Sequence, residues 1–139
     1  MMNAEQIEAK VGQILRDVYD TISRGEFEPW MTTLHEPAGR WLLGMDMVDI
    51  REASEQFLAT WKPDGERPID RQEIDDLDIQ VTAISPTIAY ALCTIPDRRW
   101  CFVNGEMDRA STAETWVFVL TDAGWKLHSG QSAIFPIED

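Results

Sequence analysis

Glu114 is the residue of this 139-residue chain whose neighbours best suit it to chemistry. Strand alternation along Thr112 to Leu120 sets it on one face with Trp116 and Phe118. Burial beside aromatic rings penalises the charged form of a carboxyl and would poise Glu114 as a general base or acid. The plainer reading is a carboxylate near a sheet rim, paired with a cation such as Arg109. His35 falls in a loop between a short helix and the Trp41 segment, where it could shuttle a proton near neutral pH or simply be satisfied by backbone. Tyr19 could present a hydroxyl donor to a reacting group, although its spacing with Leu15 and Ile22 fits core packing equally well.

Other chemistries find little support. The acidic run Glu73, Asp75, Asp76 and Asp78 lacks the oxygen spacing and glycine of a calcium loop and reads as a solvated face. Two histidines and two distant cysteines make no zinc constellation, and there is no GxSxG elbow, P-loop or GxGxxG fingerprint. No cofactor or metal is expected. Cys93 and Cys101 lie on one extended segment, roughly 26 Å apart at strand rise, and read as free thiols of a reducing cytoplasm.

Composition bounds the partners. Lys plus Arg is 12 and Asp plus Glu is 25, a formal charge of -13 that repels phosphate backbones and anionic lipid alike. Nucleic acid and membrane are therefore not expected as partners. The opening MMNAEQIEAK has no basic stretch followed by an apolar run, so no secretory signal is read there. Six tryptophans imply a large apolar interior, a pocket or an interface.

The elements that must position these residues follow from periodicity. Ile7, Val11, Ile14, Leu15, Val18 and Ile22 recur at helical spacing, predicting an amphipathic helix from about Ala4 to Arg24, with Asn3 and Gln6 at capping-box spacing and Gly25 as its stop. Pro29 opens a short helix carrying Trp30, Met31 and Leu34 inward. Arg40 to Gly44 reads as a short strand or an irregular pocket wall. Asp49 caps a helix running to about Trp61, and Lys62 to Asp76, broken by Pro68, reads as a loop. From Leu77 the period becomes two. Strands are expected at 77–83, at 88–95 continuing through 100–103 with a bend or bulge at Pro96, at 110–120, and from Trp125 to about Phe135.

Helices first and a strand meander second define an α+β fold, read as a single domain over 1–139. The strand at 112–120 has no polar face: Trp116, Phe118 and Leu120 oppose Thr115, Val117 and Val119. Helices would cover one face and a second copy of the chain the other, unless the outer residues are merely good strand formers.

The order of elements, with Gly25-Glu26-Phe27 after the first helix and Thr115 and Val117 before Gly124-Trp125-Lys126-Leu127, resembles the SnoaL-like, ketosteroid-isomerase-like branch of the nuclear-transport-factor-2-like superfamily. The resemblance covers nearly the whole chain. It implies N-terminal helices packed on a strongly curved antiparallel sheet, a cystatin-like cone with an internal apolar cavity, often a homodimer through the outer sheet face. In that frame Trp41, Trp116 and Phe118 are expected as cavity walls. Ser129 and Gln131 stand on the face where relatives often carry histidines, and they too are expected to meet a ligand. Glu114 would act as base, with His35 or Tyr19 supplying a proton or polarising a carbonyl. Two functions are consistent with this reading: binding of a small apolar ligand, with acid-base catalysis of an isomerase, cyclase or dehydratase type, or a non-catalytic dimeric scaffold for a protein partner.

Overall fold

The structure, a computed structural model, describes residues 2–37 and 39–138. Helix α1 (Ala4–Ser23) starts where Asn3 Oδ1 accepts the Gln6 backbone N–H at 2.9 Å and Gln6 Oε1 accepts that of Asn3 at 2.9 Å. This reciprocal capping box satisfies two otherwise orphaned donors. The chain leaves α1 through Gly25 at φ 78, a left-handed conformation that favours glycine. A Cβ there would also approach Asp70 O within 2.7 Å. Helix α2 (Glu28–Thr33) has Pro29 in its first turn, and α3 (Ile50–Trp61) is capped by Asp49, which accepts the Glu52 N–H at 2.9 Å. All three helices fall where the periodicity and caps predict.

Seven strands are found among the described residues: β1 (Arg40–Leu43), β2 (Asp46–Asp49), β3 (Ile69–Asp75), β4 (Asp78–Ser85), β5 (Ile88–Phe102), β6 (Met107–Thr121) and β7 (Gly124–Pro136). They form one curled sheet in the order β2-β1-β7-β6-β5-β3, with β4 also paired to β5. The α+β architecture is as expected, but the sheet is mixed and not purely antiparallel. Leu34 bridges Leu127 in parallel at the end of α2, so the chain enters beside β7 in the same direction and β1 pairs β7 in parallel.

Two further departures concern the edges. The segment read as a loop from Lys62 to Asp76 contains β3, whose alternation is hidden because the buried position at its centre is a polar residue, Gln72, flanked by charged ones. Glu73 lies opposite Arg99 of β5, which donates to it at 2.9 Å. Pro68 precedes this strand and interrupts no ladder. The short β2 forms a hairpin with β1 around Gly44, at φ 62.

Bulges decide which side chains face inward. Pairing of β5 with β6 shifts register between Ile95 and Arg98, the bulge expected at Pro96. Pairing of β6 with β7 shifts where Val117 meets Ser129 and Phe118 meets Leu127, leaving His128 as the extra residue. Helix α1 lies on the concave face, with Ile7, Val11 and Leu15 in one buried cluster with Ala89, Ala91, Cys93, Phe118 and Leu127. The small side chains at 89 and 91 leave room for the helix. No helix among the described residues is long and apolar enough to cross a membrane.

Candidate functional site

Glu114 sits in the middle of β6, in register with Cys93 on β5 and Ser132 on β7. The residue is 9% exposed and its carboxylate accepts three hydrogen bonds: Tyr19 Oη to Oε1 at 2.8 Å, Arg98 Nη1 to Oε1 at 3.1 Å, and Ser132 Oγ to Oε2 at 2.5 Å. Counting hydrogens fixes the direction of these bonds. Tyr19 Oη accepts from Trp116 Nε1 at 3.0 Å and Ser132 Oγ accepts from Trp41 Nε1 at 2.9 Å. Each hydroxyl has one proton, so each gives it to Glu114. The network therefore reads Trp116 to Tyr19 to Glu114 on one side and Trp41 to Ser132 to Glu114 on the other.

Arg98 closes the set. Its guanidinium, 8% exposed as a residue, donates Nε to Gln72 Oε1 at 2.8 Å and stacks near Trp100, 5.1 Å from the ring centroid. These bonds use Nε and Nη1, and Nη2 makes no hydrogen bond among the described residues. A buried ion pair of this kind depends on its additional hydrogen bonds, because desolvation of both charges opposes it. Tyr19 is held well above the ordinary tyrosine pKa, first by burial and then by the Glu114 charge, so it stays a neutral phenol that donates. Burial pushes the Cys93 thiol up to about 12, which leaves it an unreactive core residue.

This polar cluster is the floor of a pocket of about 820 Å³. Its walls are aromatic. Trp30 meets Trp116 edge-on at 5.2 Å and donates Nε1 to Ser54 Oγ at 2.9 Å; Trp41 lies 6.0 Å from both Trp116 and Phe57; Phe57 stacks on Trp61 at 5.1 Å. Gly130 is required by this packing, since a Cβ there would come within 2.2 Å of Trp116 Cε3. The indole of Trp116 thus lies directly on the β7 backbone. At the rim Arg67 stacks on Phe102 at 3.6 Å and pairs with Asp108.

Of the residues singled out from sequence, the fold brings Glu114, Tyr19, Trp41 and Trp116 together in this pocket. Phe118 is 0% exposed and belongs to the core behind it, on the same β6 face but beneath α1. Ser129 and Gln131 do not line the pocket, contrary to expectation. The extra residue His128 reverses the alternation of β7, so Gly130 and Ser132 face inward in their place. His35 is also outside: its ring lies 5.7 Å from that of His128, and its backbone N–H donates to Leu127 O. Arg109, the cation offered in the plainer reading of Glu114, pairs with Asp97 at 2.8 Å, and the cation beside Glu114 is Arg98.

Three members of the floor, Arg98, Ser132 and Gln72, were not anticipated. The available signals were the bulge at Pro96, which swaps Arg99 for Arg98 on the inner face, and the isolated Gly130 in a strand, a mark of a bulge or close approach. Among the described residues no group of three or more His, Cys, Asp or Glu side chains converges as metal ligands.

Comparison with known proteins agrees with this architecture. A family model described as a SnoaL-like domain matches residues 11–138. No curated protein matches the chain. Among solved structures, a proposed dehydratase of the NTF2-like family from Streptomyces avermitilis is similar, with 17% identity, a TM-score of 0.68, and coverage of 97% of this chain and 99% of that one. A protein with a cystatin-like fold from Caulobacter vibrioides is 20% identical, with a TM-score of 0.63 over 89% of this chain and 86% of its own. The association domain of C. elegans CaMKII is 14% identical, with a TM-score of 0.62 over 90% and 93% of the two chains. At these identities the likeness is one of fold.

Proposed function

We propose that this chain, which belongs to the SnoaL-like domain family within the nuclear-transport-factor-2-like superfamily, binds a small, largely apolar molecule in its aromatic pocket. The observation that carries this reading is the ion pair of Glu114 and Arg98 on the pocket floor, joined by Tyr19, Ser132 and Gln72. Such a network adds little stability over well-packed apolar side chains, so its place beneath an open pocket favours a role in recognition. The ligand meets flat aromatic walls and, on the floor, the Nη2 of Arg98 and the hydroxyl of Thr112, neither of which has a hydrogen-bond partner among the described residues. It therefore brings an acceptor oxygen, such as a carbonyl, attached to an apolar body.

Acid-base chemistry on that ligand rests on Glu114. Oε1 already accepts two hydrogen bonds and Oε2 one, so the second lone pair of Oε2 is the position from which Glu114 would take a proton. Tyr19, kept neutral, then stabilises negative charge on the ligand by turning its one proton from Glu114 Oε1, which no longer needs it once Glu114 is protonated. A thermal-shift screen with hydrophobic carbonyl compounds tests the binding reading, because a ligand that binds only the folded state raises the melting temperature. A compound that shifts the parent protein is expected to shift Glu114→Gln less. Equal shifts would remove Glu114 from the binding site, and turnover unchanged in that variant would remove it as the base.

A scaffold role is the second reading, favoured by the outer sheet face. Ile88 and Leu92 are 38% and 48% exposed there, beside the half-buried Tyr90, Val117 and Val119. A sheet-to-sheet homodimer would cover them. The fold shared with the CaMKII association domain supports an assembling role. Sedimentation is expected to give a dimer in the parent and a monomer in Val117→Lys; a monomeric parent would reject this interface.

A further inference from the structure

We propose that Trp61, with Phe27 and Leu58, sets the length of ligand that the pocket accepts. The proposal rests on the pocket being a ligand site. These three residues line the main pocket of about 820 Å³ and also a second recess of about 360 Å³, whose other walls include Gly25, Ala59, Pro63 and Ile69. They are the partition between two spaces, and an elongated apolar ligand entering the first reaches the second only by displacing them.

The partition is held differently from the rest of the wall. Trp30, Trp41 and Trp116 each donate their indole N–H, to Ser54, Ser132 and Tyr19 respectively, which locks each ring in one orientation. Trp61 makes no such bond among the described residues and is held by ring contacts alone, 5.3 Å from Phe27 and 5.1 Å from Phe57. Its helix is anchored at the opposite end. The buried residues of α3 are Ile50, Ala53 and Ser54, whereas Phe57, Leu58 and Trp61 in its second half are only half-buried.

The backbone beneath is nevertheless fixed, with Lys62 N–H on Leu58 O at 3.0 Å and Arg67 N–H on Thr60 O at 2.9 Å. The element that yields is therefore the Trp61 side chain, by a change of rotamer, and not the helix. The wall that carries the polar floor stays rigid while the wall opposite gives way to ligand length.

The experiment uses phenyl alkyl ketones of rising chain length, titrated calorimetrically against the parent and against Trp61→Ala. In the parent, affinity is expected to rise about fourfold per added methylene, the value of burying one such group, and to stop rising where the chain meets the partition. In Trp61→Ala the rise continues for several more methylenes, and in Trp61→Phe the break falls between the two. Leu58→Ala, confirmed as folded by circular dichroism, provides the same comparison should Trp61→Ala not fold. A break at the same chain length in parent and variants overturns the proposal while leaving the ligand pocket intact. No binding of any ketone to the parent overturns the pocket reading and the length inference with it. Glu114→Gln is expected to weaken every member of the series without moving the break, which separates the floor from the partition.

Discussion

Three consecutive residues of β5 carry charges into opposite environments. Asp97 and Arg99 lie on the outer face, their side chains 26% and 29% exposed, in a cluster with Arg109 and Glu73. Arg98 between them faces inward and pairs with Glu114, the two side chains 9% and 8% exposed. Residue types and pair distances are alike on the two sides, yet the physics differs. On the outside each charge keeps part of its water, pairs are redundant, and salt screens them. On the inside both charges have lost their water, and each depends on the other and on Gln72, Tyr19 and Ser132 for compensation. The outer cluster should therefore tolerate loss of a member, whereas the inner one should act as a single unit.

The largest expected effect breaks the inner unit. Arg98→Met leaves Glu114 buried with a charge and no cation, and should cost about 3–5 kcal/mol in urea unfolding. Adding Glu114→Gln should recover about 2 kcal/mol of that. The amide oxygen can still accept from Tyr19, and the amide nitrogen can donate to the second lone pair of Ser132. On the outer face, Arg99→Met should cause a much smaller loss that disappears in 1 M salt. If the two single variants unfolded at the same urea concentration, the inner and outer pairs would be equivalent and the contrast would fail.

Next in size is the phenol. Tyr19→Phe removes one donor to Glu114 and the acceptor of Trp116 Nε1, an expected loss of about 1–3 kcal/mol. It should also change the alkaline limb of stability. Folding holds the Tyr19 proton more tightly than the unfolded chain does, so its contribution is complete below the unfolded pKa of about 10 and is lost as pH rises beyond it. Tyr19→Phe should therefore be relatively less destabilised at pH 11 than at pH 8. Unfolding curves at both values check this, and a constant difference would mean that the phenol is not the group responsible.

The same two faces explain what could be read from sequence. Helix α1 was legible because its cap, its apolar stripe and its terminating glycine are local signals, and the α+β order followed from a change of period at Leu77. The aromatic wall was partly legible, through Trp41 and Trp116. The floor was not, because it depends on parity. One extra residue at Pro96 and another at His128 each invert the alternation downstream, turning Arg98 inward where Arg99 would have been and Ser132 inward in place of Ser129 and Gln131. Pro96 announced the first bulge without fixing its register. The second had only Gly130 to mark it, and the reason for that glycine, the Trp116 ring lying on it, is a cross-strand contact. Strand β3 was hidden for a related reason, since its buried residue is Gln72, held inside by Arg98 and not by apolar neighbours.

The smallest effect sharpens the comparison from the outer side. Hydrogen bonds from Arg109 and Arg99 hold the Asp97 carboxyl down at about 2, against about 3.9 in an unfolded chain. On acidification the unfolded chain takes up this proton first. Whatever Asp97 contributes is therefore complete above about pH 4 and is lost as pH falls toward 2. Asp97→Asn should be less stable than the parent at pH 6, by a small margin that salt narrows, and most of the margin should be gone by pH 2.5. The inner unit should behave otherwise: the deficit of Arg98→Met at pH 6 should persist in salt, because its charges are out of reach of the ionic atmosphere. Urea midpoints for both variants, at pH 6 with and without 1 M salt and again at pH 2.5, make the test. A deficit of Asp97→Asn that stayed constant from pH 6 to 2.5 would show that packing, and not charge, holds the outer cluster together.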